Sequence, residues 1–551
     1  AYLFKQHDTN KGDMTVSKAT VNWKLADVVK MNTTVGDDLD TKYEVPVYNM
    51  LNDETVDGAI TLQKSNGFNS RIFTLNGNGK TLSGINNAGI TITNGEIFNL
   101  NDIIMTDFDI TNQSGATTNI ANAIAENITN KGDLNISGIN SIDEISGMGK
   151  TSVNGIAVIN NGIEQQNLTI EENGLVSVDA DNLKVTNTTN TVDNNGGLIL
   201  GNGTLKSNIN GVGDIAIAYG SEVINADKNI NNGYLEVIDT AKFTNNSTIK
   251  VNEFVNGGEF TNTNKLETAS VENYNKITNS GNITSQGILN TGEIVNNGTI
   301  KAVTDNAVAN PEILLIYGIK QIGVPVKEDP SVTDNAAVKW GTSATVFSSP
   351  VLFGSDLANG LSIGEDIPVL LEANGIAIVD TTDSIVNLGS IINNANGSIE
   401  TGYLNNSGLI TNNKNANITA GSVVNDYGIL NNGNITSQGI LNTGEIVNSG
   451  TITAKVTETN DDVNSIHGGV WQLNENGIAI VDTTDSINNP LKVILSELEY
   501  EQNSIQLAEV DTTNSIVNLG SIINNANGSI ETGYLNNSGL IINNTGANIT
   551  A

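Results

Sequence analysis

The sequence predicts an all-β chain: a long parallel β-helix, or solenoid, of about 18–19 residues per coil, with an N-terminal cap and extra-helical insertions. Three observations carry that prediction. The first is duplication. Val379–Ile410 reappears as Val510–Ile541 with one difference, Asp383 against Asn514. Asn282–Ile300 reappears as Asn434–Ile452, differing only at Asn297 and Ser449. The second is spacing. After Leu388, aliphatic anchors fall at Ile391, Ile399, Leu404, Leu409, Ile418, Val423, Ile429, Ile435, Ile440, Ile446 and Ile452. Most steps are five or six residues, too long for the three-and-four rhythm of a helix. Grouped in threes, the anchors give coils of 18, 20 and 17 residues. Short β-branched runs punctuated by Asn and Gly read as strands joined by turns. The third is the punctuation itself. The chain holds 89 asparagines and 56 glycines, the residues that tolerate left-handed backbone at sharp corners. Stacked asparagines can also form hydrogen-bonded ladders. Proline removes a ladder donor, and five of the seven prolines lie within Lys301–Asn374.

The elements follow in order. Residues 1–54 are the least repetitive and are expected to cap the first coil, whose open edge would otherwise pair with another chain. Residues 55–300 form the first solenoid stretch. Residues 301–374 break the pattern: asparagine thins out and Tyr317, Trp340, Phe347 and Phe353 appear, which reads as an insertion or small subdomain. The solenoid resumes over 375–454, is interrupted at 455–476, and resumes at 477–487, where Gly477–Ile487 repeats Gly375–Ile385. A further insertion covers 488–509; its Leu491–Glu509 reads equally as a hairpin or a short helix. Residues 510–551 return to the solenoid. They stop inside their own repeat, since the matching Ala420 continues to Gly421, so the natural chain is expected to run on past Ala551. Some 400 solenoid residues would make roughly 21–22 coils.

Composition narrows the function classes. A net charge of −35 repels nucleic acid and anionic membrane alike. The absence of cysteine removes disulfides, thiol nucleophiles and cysteine-ligated metals. Only His7 and His467 are histidines, far apart, and Arg71 is the single arginine, which argues against His-based triads and zinc sites. No apolar run is long enough to span a bilayer as a helix. Disorder is the plain alternative for an acidic, Asn-rich chain, but regularly spaced aliphatics can bury a core. A start at Ala1, with no charged-then-apolar leader, fits a processed secreted protein or a fragment.

The phrase from Gly58 to Ile103, with Leu75–Gly84 reading LNGNGKTLSG, resembles the start of right-handed β-helices in bacterial surface adhesins. The later NxGxI units resemble passenger regions of autotransporters and filamentous-haemagglutinin-like proteins. That resemblance implies a right-handed β-helix at the bacterial cell surface. The expected function is a non-enzymatic stalk presenting binding insertions. The alternatives are a subunit of a surface filament or sheath that polymerises by end-to-end stacking, and a polysaccharide-degrading β-helix enzyme.

Candidate residues divide accordingly. Trp340, Phe347 and Phe353, and His467 with Trp471, sit in insertions, where recognition residues usually lie. Their rings would stack on sugars or protein partners, or else pack a small local core. The expected partner is a surface protein or glycan of a host or neighbouring cell, with end-to-end or lateral self-association as a further contact. No cofactor is expected apart from calcium. Asp8, Asn10 and Asp13 resemble the opening of a calcium loop, without its glutamate at the twelfth position. Asp37, Asp38 and Asp40 form a second acidic spot, and Gly211–Asp214 is a scrap of a calcium-binding repeat. Solvated surface charge explains all three equally well. For catalysis, Asp380 with Asp383 and Asp482 with Asp485 offer paired acids. The third copy, however, carries Asn514, and a duplicated motif points to scaffold. No catalytic residue is assigned.

Overall fold

In a computed structural model, residues 24–26, 28–29, 47–62, 71–302, 384–454, 470–473, 479–482 and 515–551 are described. They are almost all β, with parallel strands stacked as a β-solenoid of about 17 turns. The chain divides into two compact units, Ala1–Asp214 and Ile215–Ala551.

The first unit has long, irregular coils. Val47 pairs in parallel with Thr74, Glu54 with Leu82 and Arg71 with Glu96, so each early coil consumes 25–28 residues. Further along, Thr117 pairs with Asp133 and Lys150 with Asn167, and the coil shortens to 16–17. These long early coils, together with residues that leave the stack, explain why the count falls below the 21–22 coils expected from an even period. The LNGNGKTLSG phrase lies within one strand, Arg71–Ile92. That strand bends at Asn78 and Gly79, both with positive φ (53° and 70°). A Cβ at Gly84 would lie 1.9 Å from the Asp107 carbonyl oxygen, so only glycine lets the coils approach there. Inside, Phe73 stacks on Phe98 with ring centroids 6.1 Å apart.

The second unit is more regular. Each coil has three four-residue strands of the form x-aliphatic-x-Asn, such as Ser384–Asn387 and Ser390–Asn393. The second and fourth residues point inward, as the two-residue strand period requires. Columns of aliphatics stack in register: Ile391 on Ile410, Ile429 and Ile446. Another column runs Ile399, Ile418, Ile435, Ile452. Each buried Ile contributes about 1.5–3 kcal/mol of hydrophobic stabilisation.

One expected anchor is corrected. Leu409 is 45% exposed and Ile410 is 1% exposed. The strand reads Leu-Ile-Thr-Asn, and the inward asparagine at its fourth place forces the second residue inward. The coils in this stretch are therefore 19, 19 and 17 residues long, not 18, 20 and 17. Two extra corner residues separate the types: Ile391 to Ile399 is eight residues, whereas Ile446 to Ile452 is six. Residues 479–482, expected in the solenoid, instead pair antiparallel with Val470–Leu473. A solenoid strand is parallel to its neighbours, so these eight residues form a separate hairpin.

Candidate functional site

Two columns of asparagine run along the second unit and set the geometry of everything attached to it. One links Asn225, Asn245, Asn262, Asn279, Asn296, Asn393, Asn412, Asn431, Asn448, Asn524 and Asn543. The other links Asn256, Asn273, Asn290, Asn387, Asn406, Asn425, Asn442, Asn518 and Asn537. Every Nδ2 donates to the Oδ1 of the next coil at 2.6–3.0 Å. Most also donate to a backbone carbonyl two residues on and to another one coil up, as Asn290 does to Gly292 and Ser390. These amides are buried at about 0% exposure, and a buried amide is tolerated only when its hydrogen bonds are met. Asn256 begins its column, because the residue below it in register is Val237, and its Oδ1 has no partner.

The ladders continue across two places where the chain leaves the stack. Asn290 donates to Asn387 and Asn296 to Asn393, although residues 303–383 intervene. Asn442 donates to Asn518 and Asn448 to Asn524, although residues 455–514 intervene. Both departures use the same corner. In unbroken coils a single residue turns it: Gln286, Gly402, Gly421, Gln438 or Gly533. A hydroxyl often ties this corner, as Ser437 Oγ does to the Gly439 carbonyl at 2.7 Å and Thr401 Oγ1 to Tyr403 at 2.9 Å. Both excursions leave after an alanine, Ala302 and Ala454, which cannot make that tie; the intact corner after Ala420 also lacks it. The register Ala302–Thr401–Ala420–Ser437–Ala454 puts the exits four coils apart, roughly 19 Å at about 4.8 Å per coil.

The residues singled out for binding fall mostly in these excursions. Trp340, Phe347, Phe353 and His467 lie outside the described residues. Trp471 sits in the hairpin, its backbone opposite Val481. Asp8, Asn10, Asp13, Asp37, Asp38 and Asp40 also lie outside the described residues, as do Asp380, Asp383 and Asp485. Arg71 opens a strand and Asp482 ends one. Asp214 is described: burial pushes its carboxyl up to about 6, the opposite of what a calcium ligand needs. Among the described residues, no group of three or more His, Asp or Glu side chains is placed to hold a metal.

Two polar features were not singled out from the sequence. In the first unit, a cleft of about 750 Å³ is lined by Asp133, Asn135, Lys150, Ser152, Thr169 and Asp193, among others. These are outward residues of successive strands, and their hydroxyls, amides and charges could hydrogen-bond a polyhydroxylated ligand. In the second unit, Tyr234, Glu236, Glu253, Glu272 and Tyr274 gather on one outward face. Burial raises both tyrosine hydroxyls above their ordinary range, and neighbouring glutamates add to the shift. Burial also raises Glu236, partly offset by the hydrogen bond from Tyr234. The sequence signal for both is only an alternating polar residue, which any solvated sheet face also shows.

Set against known protein families, curated proteins and solved structures, the chain matches none of them.

Proposed function

We propose that this chain is a non-enzymatic, extracellular, adhesin-like surface protein in which the solenoid is the scaffold and the two excursions carry recognition. The observation that supports this reading most is the common corner. Residues 303–383 and 455–514 replace a one-residue turn at the same place in the coil, while the asparagine ladders beneath them run on unbroken. A scaffold that accepts long insertions without changing register is suited to presenting binding segments. The acidic charge of −35 keeps such a scaffold soluble and away from anionic surfaces. The proposed ligand is a surface protein or glycan, met by aromatic rings of the excursions such as Trp340, Phe347 and Trp471.

The test is binding of the full chain to glycan panels and cell-surface protein extracts, with and without Fab fragments raised against the two excursions. Specific binding that the Fabs block supports the reading. Binding indifferent to the Fabs contradicts it, as do regular fibres under negative stain or release of reducing sugar ends.

A further inference from the structure

One outward face of the second unit is apolar and covered. Along the strands that follow the excursion corner, the outward third residue forms a row in register: Val386, Asn405, Val424, Leu441, Val517 and Asn536. Such residues point away from the core and would ordinarily meet water. Yet Val424, Leu441 and Val517 are only 4–5% exposed and form a cluster of their own on the outside of the solenoid. The neighbouring sheet shows what an uncovered face looks like: its outward Leu430 and Ile542 are 36% and 41% exposed. Among the described residues, the hydrophobic side chain packed on this cluster is Tyr403. It lies three coils from the strand of Val517 by the register Tyr403–Ser422–Gly439–Ser515, about 14 Å at about 4.8 Å per coil. A tyrosine ring cannot span that distance, so Tyr403 covers one end only.

We infer that this outward stripe is an intramolecular docking surface, and that its occupant is the segment 488–509 of the second excursion. The connectivity supports this occupant. Residues 455–514 leave at Ala454 and return at Ser515, the corner that borders the stripe between Leu441 and Val517. The composition supports it too. Outside the Val470–Asp482 hairpin, the densest aliphatic run of that excursion is Leu491, Val493, Ile494, Leu495 and Leu498. Aliphatic side chains on both sides would release water from a dry contact. Docking would hold the excursion at a fixed angle to the scaffold, so that whatever it carries is presented in one orientation. The inference stands on the fold and does not depend on what the excursion binds.

The experiment places a photo-reactive benzoylphenylalanine at position 441 of the full chain, irradiates dilute protein and maps the cross-links by mass spectrometry. The expected product is an intramolecular cross-link from position 441 into residues 488–509, with none from the same group placed at position 430. Cross-links only to 303–383, only between two copies, or to nothing would overturn the inference. A second measurement uses Leu441→Ser combined with Val517→Ser. Protease cleavage within 488–509 should accelerate by about tenfold or more as the docked state loses population, with the thermal melt of the solenoid unchanged. Unchanged cleavage in a folded variant would overturn it equally.

Discussion

Asn273 Nδ2 donates to Asn290 Oδ1 at 2.7 Å, and both side chains are at most 1% exposed. The amide of Asn290 passes the pattern on to Asn387, Gly292 and Ser390. Removing one member therefore strands donors and acceptors on two coils. Asn290→Ala should cost about 2–4 kcal/mol, from three hydrogen bonds at about 1 kcal/mol each plus an acceptor left dry on Asn387. Faster amide exchange in the strands Gly287–Asn290 and Ser384–Asn387 would register the loss. Asn290→Asp should be worse at pH 7, because it puts a carboxylate against the Oδ1 of Asn387 and two carbonyls. The deficit should shrink at pH 4, where the acid is protonated and one donor is restored.

Asp214 predicts the opposite response to charge removal. Its carboxyl is raised from 3.8 to about 6 by burial. The folded state then binds the proton more tightly than the unfolded one, so stability falls as pH rises from about 4 to about 6. Asp214→Asn should raise the melting temperature at pH 7 and leave it unchanged at pH 4. The gain is at most about 3 kcal/mol, at about 1.4 kcal/mol per pH unit, and less to the extent that water still reaches the side chain. Equal gains at both pH values would show that burial of charge is not the cause.

The aromatic core near the start of the second unit should be sensitive to truncation. Phe260 lies 5.7 Å from Phe243 and 4.6 Å from Phe254 between ring centroids. Phe260→Ala should cost about 3–5 kcal/mol through lost burial and the cavity left behind. Denaturant melts monitored by circular dichroism would check this. Leu409→Ala, one strand place away from the buried column, should change stability by less than about 0.5 kcal/mol.

The excursions should be dispensable for folding. Joining Ala302 to Ser384 through one glycine copies the Gly402 corner, and the ladder bonds from Asn290 to Asn387 and Asn296 to Asn393 are already in place. The spliced chain should keep its β circular dichroism and melt within a few degrees of the parent. A collapse of the melt would mean that residues 303–383 are part of the scaffold.

The sequence made the solenoid legible because aliphatics and asparagines repeat at a spacing no helix can use. It did not separate Leu409 from Ile410, since both are aliphatic and only the inward Asn412 fixes the phase. Nor did it separate two kinds of asparagine. Asn396, Asn415 and Asn527 turn corners at positive φ (69°, 65° and 70°), whereas Asn290 and Asn393 are extended and buried in the ladders. Both kinds sit beside Gly or Ser, so local sequence looks alike and only register tells them apart. The exits at Ala302 and Ala454 were visible as breaks in the repeat. That they share a corner was not visible, because it depends on which strand of the coil each alanine ends. The covered face of Val424, Leu441 and Val517 was hidden for the same reason: an outward valine in a strand reads like an inward one.

The central claim is that the solenoid supports and the excursions recognise. The most direct test compares surface binding by the full chain with binding by a double splice, Ala302–Gly–Ser384 together with Ala454–Gly–Ser515, whose β circular dichroism and melt match the parent. Loss of binding in the folded double splice is the predicted result. Undiminished binding would contradict the claim and move recognition onto the solenoid itself, with the cleft around Asp133, Lys150 and Asp193 as the first place to look.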